Sequence, residues 1–583
     1  MAYQLSPGVA FSEIDLTTIV PAASTTEGAF AGDFDWGPVN EIRTIGNELE
    51  LVRWFGKPTQ NNFTSFFTAA NFLSYGNNLR LVRSANTDVA RNATTGSTVL
   101  IIKNEDDYEN NYVLNGESAT VANTMGMFAA KYPGDLGNSL RVSIWADQDS
   151  VAFDTWPYKS VFEGVPGTSA FVASQGGAND EMHIVVQDRL GKFSDGVANT
   201  ILERFPFVSK AADAKNDDGS SNFYVDVINQ RSQYLWALRH AQDEVTQVSE
   251  TSSWGLASAT QNNTGHFVGT GFGQSNSSYT MNLFGGVVGS PNNGQLESSY
   301  DLFVDPEETD ISLVMTGAHS QTVAEHVLED VVGVRRDCVA FISPDMMDVV
   351  DNAGSEVSDI TQKINLFNSS SYGIFDGNWK KQFDKYNNTY RWVPLNADVA
   401  GLCARTDFDR DPWFSPAGFN RGQIKNVTKL AWNPNKAQRD DLYKANINPV
   451  VSFRGEGTVL YGDKTMQRKP SAFDRINVRR LFIVLEKTIT RAAKYSLFEF
   501  NDEFTRAQFV ALVEPYLRDV KGRRGIFDFK VVCDTTNNTP EVIDRNEFRG
   551  DIYIKPARAI NFIQLNFVAV RTGVAFSEIV GQF

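Results

Sequence analysis

Apolar positions recur along this chain with two periods, and the switches between them outline its elements. At residues 47–55 the helical repeat of Leu49, Val52 and Phe55 is closed by Gly56. At 63–75, Phe63, Phe66, Phe67, Ala70 and Leu73 keep the same spacing before Gly76. Residues 78–84 read as a strand. A βαβ unit follows later: 311–315 is a continuous apolar run, Val323, Val327, Leu328 and Val331 share one face of a helix over 321–332, and 338–342 is a second buried strand. Such a crossover predicts parallel pairing. Residues 474–495 and 502–519 predict two long helices, the second carrying Phe509, Leu512, Val513, Tyr516 and Leu517 on one face with Pro515 inside. Residues 560–570 alternate, as in a half-buried strand.

Between these stretches the pattern weakens. Residues 86–124 are polar and read as a loop or small insertion. Residues 125–300 hold short strand-like runs, such as 140–145 and 183–187, among Gly, Ser and Asn, so this part is expected to be β-rich and protruding.

The two ends of the chain match. The heptapeptide GVAFSEI stands at 8–14 and again at 573–579, a self-similarity that bears on architecture. Each copy can alternate as a strand. Pro7, Gly8, Val9, Phe11 and Ile14 at one end, and Val574, Phe576 and Ile579 at the other, are therefore expected to form arms that dock on sheet edges, including edges of neighbouring copies. The alternative is a pair of terminal strands folded into their own domain, or coincidence.

A length of 583 residues suggests several domains. A net charge of −17 argues against a surface that coats nucleic acid. Charge is uneven, however: residues 471–583 carry 17 Lys/Arg against 14 Asp/Glu, so the acidity lies in the rest. Arg475, Arg479, Arg480, Lys487 and Arg491 fall on one expected helix, with Arg518, Lys521, Arg523 and Arg524 after the next. This reads either as a solvated face of mixed charge or as a cationic surface facing an acidic partner. Three scattered cysteines make no disulfide framework and suggest folding in a reducing cytoplasm. No signal peptide and no membrane-length apolar run is visible, so membrane insertion is not expected.

Candidate chemistry is thin. Residues 457–465, GTVLYGDKT, resemble a phosphate loop, but Asp463 occupies the position where the lysine must follow glycine, and a turn after a strand is the better reading. Gly269, Gly271 and Gly273 lack a preceding apolar strand. Asp407, Asp409 and Asp411 imitate a calcium loop, but Pro412 stands where glycine is required, leaving a solvated acidic loop as the expectation. His319 and His326 have no metal-binding pattern around them. No catalytic residue, metal or cofactor is expected, although a nucleotide-using α/β enzyme stays as the competing class.

Specific motifs carry a resemblance. NWKKQFDKYNNTYRWVPLNADVAGLCARTD (378–407), SPAGFNRGQI (415–424), LYGDKT (460–465), FDRINVRRLF (473–482) and VVCDTTNNTPEVIDRNEF (531–548) closely resemble the contractile tail sheath proteins of T-even-like myophages. LSPGV (5–9), WGP (36–38), FGKPT (55–59), FLSYGNNLRLVR (72–83) and YPGDLGN (132–138) fit as well. The resemblance is strong over 1–85 and 365–583 and thinner between, and 90–124 is shorter than the outer insertion of larger relatives.

The resemblance implies a multidomain mixed α/β protein: an N-terminal arm (1–21), the first part of the sheath core (22–85), a short outer insertion (86–124), a β-rich protruding domain (125–300), a βαβ core segment (301–365), a C-terminal sheath domain facing the tube (366–571) and a C-terminal arm (572–583). It implies a late structural protein of the virion tail, assembled in the bacterial cytoplasm. Its partners would be further copies of itself in hexameric rings and a helical polymer, the tail tube protein, the baseplate and the tail terminator, and not nucleic acid. Strand exchange through the arms would join subunits, and contraction from a metastable state would drive the tube through the host envelope for genome ejection. The sheath of a phage-derived injection system is the alternative. Arg475, Arg479, Arg480, Lys487 and Arg491 are the candidate tube-facing surface.

Overall fold

The computed structural model describes residues 25–97, 99–114, 126–146, 149–238 and 278–561. Both heptapeptides, the glycine triplet at 269–273 and all but the start of the alternating stretch at 560–570 lie outside these residues. The chain divides into a larger unit, Ala22–Pro412 with Pro416–Thr488, and a smaller one, Met1–Pro21 with Trp413–Ser415 and Ile489–Phe583.

The larger unit is organised by a six-stranded sheet. In spatial order its strands are Gly373–Phe375, Val339–Ile342, Leu313–Met315, Gly28–Asp33, Leu79–Ser84 and Ile42–Ile45. Neighbours run parallel except the last pair, which is antiparallel. Segments 22–85 and 301–375 thus share one sheet. A parallel sheet is covered on both faces, which explains the near-continuous apolar runs in its central strands. The crossover from Leu313–Met315 to Val339–Ile342 pairs Leu313 with Val339 in parallel, as its periodicity implied. The intervening helix differs in detail. It is α over Gln321–His326 and widens to a π-helix over Val327–Val332, with Val323, Val327, Leu328, Val331 and Val332 all buried.

Helix Phe63–Leu73 packs its phenylalanines into the same core. Gly28 is required there, because a Cβ would stand 2.5 Å from the Phe72 ring. Helix Glu48–Phe55 is capped by the Asn47 side chain, which accepts from the Glu50 N–H at 2.9 Å. It buries Leu51 and Phe55 while Leu49 is exposed, a one-sided correction to the face read from Leu49. Cys338 and Cys403 are fully buried in this core.

A second, antiparallel sheet runs Thr200–Ser209, Glu181–Asp188, Leu140–Trp145, Tyr279–Asn282. It has its own apolar core around Val142, Ile144, Met182, Ile184 and Val186. Of residues 86–124, read as a polar loop or small insertion, 86–97 and 99–104 are irregular but packed, while Glu105–Asp107 and Tyr108–Leu114 form short α- and π-helical turns. Asn92 is buried, its amide donating to the Ala130 carbonyl at 2.9 Å and its Oδ1 accepting from the Ile102 N–H at 2.8 Å. Asn92 thereby satisfies backbone groups that no strand pairs, which is what allows irregular chain to be buried.

In the smaller unit, helix Glu503–Gly522 starts at Asp502, whose Oδ1 accepts from the Thr505 N–H at 2.8 Å, and buries Phe509, Val513, Leu517 and Val520. Pro515 lies within it. Strands Ile526–Val532 and Asp551–Pro556 follow as an antiparallel pair.

Candidate assembly surfaces

The sequence motifs that imitate chemistry are built into the fold. The Lys464 ammonium, which a phosphate loop would aim at its ligand, donates to the Tyr443 carbonyl at 2.6 Å and to Asn446 Oδ1 at 3.2 Å. Its N–H donates to Asn448 Oδ1 at 2.7 Å. Asp407 is not part of a solvated loop: it ends helix Asn396–Asp409 as a buried ion-pair partner. His319 is half-buried, stacked on Phe30, with Nε2 against the Ala31 carbonyl at 2.8 Å. Among the described residues no cluster of His, Cys, Asp and Glu is placed to hold a metal, and no helix is long and apolar enough to cross a membrane.

The expected basic surface is corrected by helix Ile476–Ala493. Ile476 and Ile483 are buried on one side of this helix and Val478, Leu481 and Leu485 on the other. The cations beside them are drawn in and partnered. Arg480 is 4% exposed and meets Asp407 through both terminal guanidinium nitrogens, Nη1 donating to Oδ1 at 2.7 Å. Burial pushes the Asp407 carboxyl up, and the Arg480 guanidinium draws it back. Lys487 donates to Asp310 Oδ1 at 2.8 Å, the Ile311 carbonyl at 2.6 Å and Ser312 Oγ at 3.2 Å. Arg479 lies over the rings of Phe473 and Tyr372, at 4.1 and 4.4 Å. Arg475 reaches the Tyr443 hydroxyl and Asp463. Arg479, Arg480 and Lys487 therefore present no charge to solvent, because the helix must bury most of its circumference and each cation finds a partner distant in sequence. Arg491, in the last turn, is half-buried.

The other expected site residues, Pro7, Gly8, Val9, Phe11, Ile14, Val574, Phe576 and Ile579, lie outside the described residues. What is described is a sheet that could receive strands. The pair Ile526–Val532 and Asp551–Pro556 aligns Phe529 with Ile554 and Val531 with Ile552 on its sheltered face, and Lys530 with Tyr553 on the exposed one. Among the described residues no third strand pairs with either. An open edge presents unpaired N–H and C=O groups to any incoming chain. FDFKVV and DIYIKP carry the period-2 signal of these two strands in the sequence.

With that geometry in view, comparison with known proteins is specific. The family model for the phage tail sheath protein central domain matches residues 300–466, and that for the phage tail sheath C-terminal domain matches residues 468–569. The tail sheath protein of Vibrio phage KVP40 is 36% identical over 672 aligned positions, covering 99% of this chain and 100% of that protein. The tail sheath protein of Enterobacteria phage T4 is 35% identical over 673 positions, covering 99% of each. A crystal structure of a sheath tail protein from Listeria innocua shares the fold, with a TM-score of 0.51 at 12% identity over 92% of this chain and 96% of that one.

Proposed function

The chain belongs to the phage tail sheath protein family, and from that premise we propose that it is the structural subunit of a bacteriophage contractile tail sheath. The observation that carries this reading is the end-to-end match to tail sheath proteins at 35–36% identity. In this reading, copies assemble in the host cytoplasm as stacked hexameric rings around the tail tube, between the baseplate and the tail terminator. The extended polymer is metastable and is held by a kinetic barrier. On release, subunits move largely as rigid bodies into a shorter, wider helix, and the free-energy difference drives the tube through the host envelope. The force is supplied by packing, so no residue is assigned a covalent role.

The open-edged strand pair supports the way subunits stay joined. Segments 1–21 and 572–583, through Val9, Phe11 and Ile14 and through Val574, Phe576 and Ile579, would add strands to sheets of adjacent copies. Main-chain hydrogen bonds would then link subunits while their bodies reorient. Residues 125–300, with their own core, are read as the outward part, and 366–571 as the part toward the tube.

Electron microscopy of the purified full chain tests the proposal. Tubular polymers are expected. A chain that stays monomeric at every concentration and ionic strength overturns it.

A further inference from the structure

The stretch 495–504 carries five large apolar side chains that face solvent: Tyr495, Leu497, Phe498, Phe500 and Phe504, of which Leu497, the least exposed, is still 62% exposed. Single exposed apolar residues are ordinary, but a run of them marks an interaction surface. Phe498 also holds a φ of 69°, the left-handed region that a bulky residue adopts at a cost. The same stretch carries Glu499, Asp502 and Glu503 and no basic residue.

The opposite end of helix Glu503–Gly522 has the complementary character. Arg518, Lys521, Arg523 and Arg524 are all exposed there, beside an exposed Phe527. Arg518, Lys521 and Arg523 contact the exposed carboxylates of Glu514, Asp528 and Asp519 at 3.6, 3.0 and 3.6 Å. Such surface pairs are weak and readily exchanged. The helix dipole favours acids at the first end and bases at the last, which accounts for the order of charge. It does not select exposed aromatics, which need a second cause.

We infer that the two ends of this helix are the two halves of a head-to-tail contact: the aromatic, acidic end of one copy docks on the arginine-rich end of the next. Arginine faces suit aromatic rings as well as carboxylates, and within this unit Arg523 already lies 5.3 Å over the Trp413 ring. Unlike surfaces that meet between copies close into a ring or propagate as a helix. The inference rests on the sheath reading and adds side chains that join subunits apart from strand exchange.

Zero-length carbodiimide cross-linking of the polymer formed by the full chain, read by peptide mass spectrometry, tests it. The 20-residue helix separates its ends by about 30 Å, so an amide between Lys521 and Glu499 or Glu503 joins two copies. That peptide is expected. A polymer without it overturns the inference and leaves the sheath reading standing, and a chain that never polymerises overturns both. Amides from Lys494 to Glu13 or Glu578 in place of it would seat a terminal segment on the aromatics and overturn the inference. Phe500→Ser with Phe504→Ser, both at exposed sites, should leave the melting curve unchanged and raise the concentration needed for polymerisation about tenfold. An unchanged threshold overturns it.

Discussion

Arg480 and Asp407 meet as a two-pronged ion pair with side chains only 4% and 2% exposed, joining helix Ile476–Ala493 to helix Asn396–Asp409. Asp407→Ala strands a guanidinium in the core, and a buried charge stripped of its partner costs about 3–5 kcal/mol. Urea denaturation should show that loss. Replacing both partners, Arg480→Met with Asp407→Leu, should recover most of it, since well-packed apolar pairs often match buried ion pairs. Reversing Arg479 and Arg480 to Glu is accordingly expected to abolish folding, which would show as loss of the cooperative transition in a denaturant titration.

Gly401→Ala sets two effects against each other. Alanine in a helix interior is worth about 1 kcal/mol over glycine. A Cβ at Gly401, however, would stand 2.5 Å from Tyr75 Cδ2. Tyr75 is not free to withdraw, because its hydroxyl donates to Asp398 Oδ1 at 2.9 Å and accepts from the Lys425 N–H at 2.6 Å. Overpacking costs about 1–3 kcal/mol, so a lower melting temperature is expected. A rise would mean that the ring yields.

Acid should loosen the antiparallel sheet through His183. Its Nδ1 accepts from the Phe207 N–H at 3.1 Å, which leaves the proton on Nε2 to be donated to the Gly164 carbonyl at 2.8 Å. The ring stacks on Phe162 at 4.2 Å. Burial depresses its pKa from 6.5 to about 4. Below pH 6.5 the unfolded chain binds a proton that the folded ring refuses, so stability falls as pH drops from 6.5 toward 4, by up to about 3 kcal/mol, and this contribution levels off below 4. Urea titrations at pH 7, 5.5 and 4, followed by tryptophan fluorescence, should show that slope, and His183→Gln should flatten it.

Elements governed by local pattern were legible in the sequence. Val323, Val327, Leu328 and Val331 announced their helix, and the crossover between Leu313 and Val339 followed from it. What depended on distant partners was not. Nothing in the spacing of Arg479, Arg480 and Lys487 reveals that Asp407 and Asp310 come to meet two of them, so a basic stripe in sequence became an inward-facing set of anchors. The polar stretch read as 86–124 misled around Asn92 for a related reason. Its polarity suggested a loop or small insertion, whereas the Asn92 amide is committed to buried backbone. The aromatic run 495–504 was readable as an anomaly, since a polar connector rarely carries Phe498 and Phe500 together with Phe504 in the first turn of the next helix, but only the structure shows that no core among the described residues takes them in.

Deleting residues 1–20 or 572–583 should leave a folded monomer that no longer polymerises. Circular dichroism melts close to those of the full chain, together with monomeric sedimentation, are the expected result. Tubes formed by either deletion variant would remove that arm from the assembly mechanism.

The cysteines bear on durability. Cys338 and Cys403 are fully buried, and burial pushes both thiols up to about 12; burial also raises Cys533. At neutral pH the thiols therefore stay protonated, and the thiolate is the reactive form. A particle built from such subunits can wait in oxygenated water without stray disulfides welding neighbours together, so its single mechanical stroke does not age away before a host arrives.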